Sequence, residues 1–444
     1  MAPRCFPTGF PRKQDLTGVR FRRDHPAPAR AVCGGCLAAS MVLIWSPIMA
    51  QEAMRNSIAG DAAMEARKLQ TEAMPYTIKS GDFRLLATPA VGLDWNDNIL
   101  LTRDNAQDDF IVRPMLGLNA SYPITQRQLL RLDVTVGYQK YIQHDSLSTW
   151  YLQSGSELSF DLSVKDFLFN FHDRFSRMQD SAQQAAVANT GSYGTMQNAA
   201  GVNATWDLQD LVFTLGYDHL NLASTTSEFK LDDHSSELFV GRGGVRLSPG
   251  LTLGVEGTAS LTAYDQSVLN DNAAYTAGIY GEWQPGRSFH VKPRVGYTTY
   301  IFQHTSQAIQ TADLNSWYAD LTVTHQITAS IDYSLSAGHE VVLGIQSDAL
   351  EDSYVRPNVN WTIIKGLGLQ TGLFLIHGNQ GAGNVRGNFT ETFDSYGGSL
   401  SLSHAFTSRF AISLNYRLTL RSSSVARNEY TQDLVGLLLT YQPQ

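Results

Sequence analysis

From Phe83 to Tyr441 the chain alternates apolar and polar residues with a period of two, over and over. Leu251, Leu253, Val255, Gly257, Ala259, Leu261 and Ala263 alternate with Thr252, Gly254, Glu256, Thr258, Ser260, Thr262 and Tyr264. Phe410, Ile412, Leu414, Tyr416, Leu418 and Leu420 alternate with Ala411, Ser413, Asn415, Arg417, Thr419 and Arg421, and Leu130 to Gln139 follows the same rule. A period of two puts one set on each face of a β-strand, so each run has one greasy and one polar face. The runs last roughly ten residues, where strands of soluble sandwiches average about five or six and strands tilted across a membrane need about nine to eleven. No stretch of about eighteen apolar residues follows the N-terminal region, so the body has no spanning helix. Charged residues make up only 17% of the chain, which suits strands with one face in lipid.

Turn signals divide these runs unevenly. Short ones stand at Pro123–Gln126, Lys165-Asp166, Leu208–Asp210, Ser248–Gly250, Gln284–Gly286, Thr328–Ser330, Lys365-Gly366 and Thr407–Arg409. Longer polar links lie between them, among them Asn96–Asp109, Gln179–Gln197, Ser224–Ser235, Ser306–Asp313 and Gly378–Asn388. Short turns at one end and long loops at the other are the asymmetry of an outer-membrane barrel. The predicted fold is all-β: a transmembrane antiparallel up-and-down β-barrel over residues 82–441, with about 18 strands and 16 as the alternative count. An even count returns both termini to the periplasm. Trp206, Trp283 and Trp361 each precede a short turn, where an interfacial aromatic girdle belongs. Val112-Arg113-Pro114, Val291-Lys292-Pro293 and Val355-Arg356-Pro357 form a faint repeat. Proline cannot donate to a ladder, so each is expected at a strand start or a bulge.

The last run, Asp433 to Tyr441, carries Val435, Leu437, Leu439 and Tyr441 on one face. In a soluble protein this would be a sticky edge; as the closing strand of a barrel it faces lipid. Gly436, Leu439 and Tyr441 resemble the C-terminal assembly signal of bacterial outer-membrane barrels, with Leu434 in a slot usually polar and Gln442-Pro443-Gln444 beyond the aromatic. A second resemblance lies in Leu93–Thr102, with its Asp-Asn-Ile turn, followed by Asp109-Phe110-Ile111-Val112-Arg113-Pro114. These residues look like the first hairpin of the outer-membrane β-barrel porins found with exopolysaccharide synthesis and export systems. The resemblance implies a role in polysaccharide passage or surface assembly, and supplies no catalytic residues.

The N-terminal part reads as targeting. Arg20, Arg22, Arg23 and Arg30 precede a short apolar stretch, Ala31–Trp45, and a small residue at Ala50. Residues 1–50 are thus expected to be a Sec-type signal peptide and the protein an outer-membrane one. Cys5, Cys33 and Cys36 all fall in that segment, so neither disulfides nor thiol chemistry is expected beyond it. Removing its seven Lys+Arg and two Asp+Glu from totals of 33 and 41 leaves a net charge of −13. That charge argues against nucleic acid as a partner. Residues 51–81, rich in Ala, Met and Glu, read as a periplasmic lead-in with helical propensity.

Chemistry is sparse. The sequence has no Gly-x-Ser-x-Gly elbow, no Walker loop and no zinc spacing, so no catalytic residues, metal or cofactor are expected. His172, beside Asn170 and Arg174, reads as an inner-face residue. Acids gather in the presumed outer loops, including Asp94, Asp97, Asp104, Asp108, Asp109, Asp232, Asp233, Asp348, Glu351 and Asp352, and read as solvated. The alternation turns Arg113, Arg131, Lys292, Arg294, Arg356, Arg417 and Arg421 to the lumen, with Glu256 among the acids opposing them. Inward cations bias a pore toward anionic solutes; a salt-bridged, filled interior is the competing reading. The Gln179–Gln197 link is expected to fold inward. The expected partners are outer-membrane lipid, the barrel-assembly machinery, and polysaccharide or small anionic solutes. The expected function is a porin-like channel or exit component for exopolysaccharide; the alternatives are a structural or adhesive barrel without an open pore and an outer-membrane barrel enzyme.

Overall fold

Eighteen long strands close into one antiparallel barrel. The computed structural model describes residues 75–179, 184–306, 310–382, 384–386 and 390–442; the signal-peptide reading and most of the 51–81 reading fall outside these. In chain order the strands are β1 Phe83–Asn96, β2 Asp109–Thr125, β3 Gln128–Tyr141, β4 Thr149–Val164, β5 Phe167–Gln179 and β6 Gly194–Asp207. Then come β7 Leu211–Ser224, β8 His234–Ser248, β9 Leu251–Tyr264, β10 Asn272–Trp283, β11 Phe289–Phe302 and β12 Leu314–Thr328. The last six are β13 Ile331–Val342, β14 Leu350–Ile364, β15 Leu367–Gln380, β16 Glu391–Ala405, β17 Phe410–Ser423 and β18 Tyr430–Tyr441. Each pairs with its sequence neighbours, and β18 returns to β1 from Ala90↔Thr440 to Asn96↔Leu434. Closure leaves no free edge, which is what lets strands sit in hydrocarbon.

The closing seam is staggered, and the chain covers the step. β18 ends at Tyr441 opposite the middle of β1, so the lower half of β1 lacks a neighbour on that side. Ile78–Ser80 folds back into the place, pairing Ile78↔Leu85 and Ser80↔Phe83. Thr77 donates its backbone N–H to the Leu85 carbonyl at 2.7 Å and accepts the Ala87 N–H on its hydroxyl at 3.0 Å. The end of the lead-in is therefore part of the sheet, because an uncovered edge would leave these groups unpaired.

The alternation appears as two faces. On β1, Val91 and Leu93 are exposed while Ala90 and Asp94 are buried; on β18, Val435, Leu437 and Leu439 are exposed while Leu438 and Thr440 are buried. Near the short turns the outward rings form a belt: Trp206 stacks on Phe167 at 5.2 Å, Trp283 meets Phe289 edge-on at 5.8 Å, and Tyr441 packs on Phe410 at 4.9 Å.

Two local expectations need correction. Pro123–Thr125 continues β2, and the turn falls at Gln126-Arg127. Pro114, Pro293 and Pro357 lie neither at strand starts nor at bulges. At each, the ladder on one side skips two pairs and resumes in the same register: Val112↔Lys140 to Met115↔Gly137, Tyr280↔Arg294 to Trp283↔Val291, and Val355↔Leu375 to Asn358↔Gly372. A missing N–H interrupts the ladder there without adding a residue.

The inner face is lined by tyrosines lying on glycines. Tyr318 covers Gly278 and Gly296, where an added Cβ would come within 2.1 Å of its hydroxyl and 2.5 Å of its ring. The backbone stripe left bare by the glycines lets the ring lie flat and carry its hydroxyl to an acid on the wall.

Candidate functional site: the interior charge network and its inward loops

The inner wall holds its charges in pairs set by strand register. Arg113 sits opposite Gly92 and reaches Asp94 at 2.5 Å. Gly436 makes room for that pair, since a Cβ there would meet Asp94 Oδ1 at 2.3 Å; a packing role at the closing seam is thus visible for this glycine. Arg174 reaches Glu157 at 3.0 Å, and His172 lies between Asp218 at 2.6 Å and Asn170 at 2.9 Å. Glu256 is the centre of a further group. It lies 2.9 Å from Arg294 and 3.5 Å from Arg242, and accepts the Tyr318 hydroxyl at 2.9 Å. Arg356 stacks over Tyr354 at 4.3 Å, and the Tyr354 hydroxyl donates to Asp320 at 2.8 Å. Arg421 reaches Glu391 at 2.7 Å, with both side chains fully buried.

The remaining candidate cations share the face. Arg131 stands between Ser121 and Ser159, Lys292 opposite Thr322, and Arg417 between Ser399 and Leu434. Glu256, Arg294, Arg356, Arg417 and Arg421 are only 3–6% exposed. Burying unpaired charge is costly, so Glu256 beside Arg294 and Glu391 beside Arg421 offset that cost. Of the assembly-signal residues, Leu439 points outward among exposed leucines and Tyr441 onto Phe410, while Gly436 lies on the inner face.

At the long-loop end, two connections turn into the barrel. In the link between β5 and β6, Ala185 and Ala186 pack with Tyr354, Phe374, Ile376 and Phe393 of the inner wall. Arg421 Nε donates to the Ala185 carbonyl at 2.9 Å, and Asn189 N–H to the Leu101 carbonyl at 2.9 Å. The second inward connection, residues 343–349 between β13 and β14, was not legible in the sequence. Gln346 N–H donates to Asp232 Oδ1 at 2.7 Å, and Gln380 donates its amide to the Ile345 carbonyl. Asp348 accepts the Asn270 N–H and side-chain amide, each at 2.7 Å, and the Thr311 hydroxyl. Between the two connections remains a polar cavity of about 150 Å³, lined by Asn189, Glu228, Gln346, Gln380, Arg427 and Asn428 among others.

The loop acids therefore need correction as well. Asp109, Asp232, Asp348 and Asp352 are at most 4% exposed; Asp232 and Asp348 tie loops to one another, and Asp109 caps the backbone of Gln143 and His144. Burial pushes the Asp232 carboxyl up to about 7. Sequence reasoning also missed Glu391, whose acidic side chain opens β16 on the inner parity. Only the register of β16 and β17 brings it to Arg421. Among the described residues, no group of three or more His, Cys, Asp or Glu is placed to hold a metal.

OccK2 (OpdF) of Pseudomonas aeruginosa, solved with glucuronate, superposes with a TM-score of 0.47 at 9% identity, over 82% of this chain and 99% of that one. OpdK of Pseudomonas aeruginosa, solved with vanillate, gives 0.44 at 10%, over 81% and 98%. OccAB3 of Acinetobacter baumannii gives 0.44 at 9%, over 81% and 98%. No functionally curated protein matches. The model of the family described as "Putative beta-barrel porin 2" matches residues 74–336, more than half of the chain, and the protein belongs to that family of outer-membrane porin-like β-barrels.

Proposed function

We propose that the protein is an outer-membrane channel for an anionic or neutral exopolysaccharide, narrowed at its long-loop mouth by the inward connections. The observation that carries this reading is the grip of Arg421 on the Ala185 carbonyl, which fastens the β5–β6 connection to the wall of the barrel. Connections of this length are usually functional or disordered. The likeness of Leu93–Thr102 and Asp109–Pro114 to exopolysaccharide-associated porins supports the polysaccharide class.

In this reading Arg113, Arg131, Lys292, Arg294, Arg356, Arg417 and Arg421 line the lumen. Their paired acids, Glu256 among them, reduce the field to a weak anion preference. Both termini are periplasmic, and Gly436, Leu439 and Tyr441 are read by the assembly machinery. Planar-bilayer conductance tests it, with uronic-acid and neutral sugar polymers as blockers. Block by polymers from the long-loop side supports passage of a chain; a barrel that never conducts overturns it and favours a closed structural barrel.

A further inference from the structure

The outer wall carries a second polar constellation, distinct from the interior network. Strand register lines up Ala319, His339, Ser353, His377 and Asp394 on five consecutive strands, β12 to β16, through the pairs Ala319↔His339, His339↔Ser353, Ser353↔His377 and His377↔Asp394. All five share the parity of the exposed Trp317, Val355, Leu375 and Tyr396, so the row faces outward. Ser353 thus has an imidazole on each side. His339 Nδ1 lies 2.9 Å from Ser353 Oγ, and its Nε2 lies 3.3 Å from Glu351 Oε1, off the axis of a hydrogen bond. Glu351 is held in turn by the Ser316 hydroxyl at 2.9 Å. The His339 ring is stacked on Trp317 at 4.1 Å and 19°, which fixes its plane. On the far side, His377 Nδ1 lies 2.8 Å from Asp394 Oδ1.

The row opens into a cleft of about 670 Å³ on the outer wall. The cleft exists because Ala319 and Ala337 are small where the neighbouring outward positions carry Trp317, Leu375 and Tyr396. The β12–β13 ladder begins only at Ala319↔His339, so Leu314–Tyr318 of β12 diverges from β13 beside it. The cleft joins an apolar floor of Ala319, Ala337, Val355 and Leu375 to the polar row, the pairing of surfaces that an acyl chain and its ester would need.

We propose that this cleft is an acyl-ester hydrolysis site, with Ser353 as nucleophile and the ester of a membrane amphiphile as substrate. A hydroxyl beside an imidazole that is itself backed by a carboxylate is the arrangement nucleophilic acyl transfer needs. Ser353 Oγ bonds to the ester carbonyl carbon as its proton passes to His339 Nδ1. The ester C–O bond breaks, and the leaving alcohol takes that proton. Water, deprotonated by His339, attacks the acyl-Ser353, releasing the carboxylic acid and restoring the Ser353 hydroxyl. The sum is ester plus water to acid plus alcohol. Glu351 positions His339 in the tautomer whose Nδ1 accepts. His377, oriented by Asp394 and directly across from Ser353, donates to the developing oxyanion. The site is independent of the channel reading.

The test uses the full chain folded in detergent micelles, an alkyl fluorophosphonate probe with mass-spectrometric site mapping, and hydrolysis of phospholipid in mixed micelles. The expected result is labelling at Ser353, abolished in Ser353→Ala and at least tenfold slower in His339→Phe. Glu351→Gln is slowed, and Glu351→Asp recovers part of the rate. His377→Phe lowers hydrolysis more than tenfold. Heat-modifiable migration checks that each variant is folded; these side chains face outward, so closure does not depend on them. Absence of label at Ser353 in the folded protein, or labelling indifferent to His339→Phe, overturns the proposal and leaves the row as polar side chains at the membrane boundary.

Discussion

Replacing Arg421 by Met separates two roles that the structure combines in one side chain. Arg421 neutralises Glu391 at 2.7 Å where both are fully buried, lies over the Phe393 ring at 4.4 Å, and holds the Ala185 and Asn428 carbonyls at 2.9 and 2.8 Å. Removing one partner of a buried ion pair costs about 3–5 kcal/mol, because the other charge is left uncompensated. The bond from a charged donor to the Ala185 carbonyl contributes about 1.5–3 kcal/mol to keeping that connection inward. At about 1.4 kcal/mol per tenfold, its loss raises the population of the released connection roughly 10- to 100-fold. Arg421→Met should therefore lower the temperature at which the folded band is lost, and also raise single-channel open time. Combining it with Glu391→Gln removes the orphan charge, so stability should largely return while open time stays high. Open time equal to wild type in a folded Arg421→Met barrel would refute the idea that this arginine holds the connection in the lumen.

Three further outcomes follow from the same geometry. The Asp232 carboxyl, raised by burial to about 7 and faced by Asp233, His234 and Tyr193, is protonated more readily in the docked state than in the released one. Its contribution is fully present below the ordinary carboxylate range and is lost as pH rises through about 7. Conductance should thus rise with pH, and Asp232→Asn should flatten the profile; a profile unchanged in that variant rejects the assignment. Replacing Lys292 and Arg294 by Gln exposes more of Glu256 and should move reversal potentials under a salt gradient toward cation selectivity, with the difference fading near 1 M salt, where the Debye length is about 3 Å; no shift would remove these residues from the lumen. Tyr441→Ala should reduce membrane yield more than Tyr416→Ala, since Tyr441 closes the last strand on Phe410 whereas Tyr416 lies in the middle of β17 and bonds Asp433; equal yields would count against the assembly-signal reading.

The barrel itself was legible in the sequence because its determinants are local. A period of two, a turn at each end and the length of each run depend on neighbouring residues, and they determined strand number, closure by β18 and the outward Trp206, Trp283 and Trp361. What meets what across the sheet was not legible, because it depends on register, and one residue of slip would send every side chain to the other face. Glu391 beside Arg421, Asp94 beside Gly436, and His339 between Ser353 and Glu351 are long-range pairs of that kind. The inward course of residues 343–349 was hidden for a related reason. Its backbone is met by Asp232 and Gln380, and its Asp348 carboxylate by Asn270, all far away in the chain, so no local motif marks it. The acids expected to be solvated show the same limit: composition shows that a loop is charged, and only the tertiary structure decides whether each charge meets water or another loop's N–H.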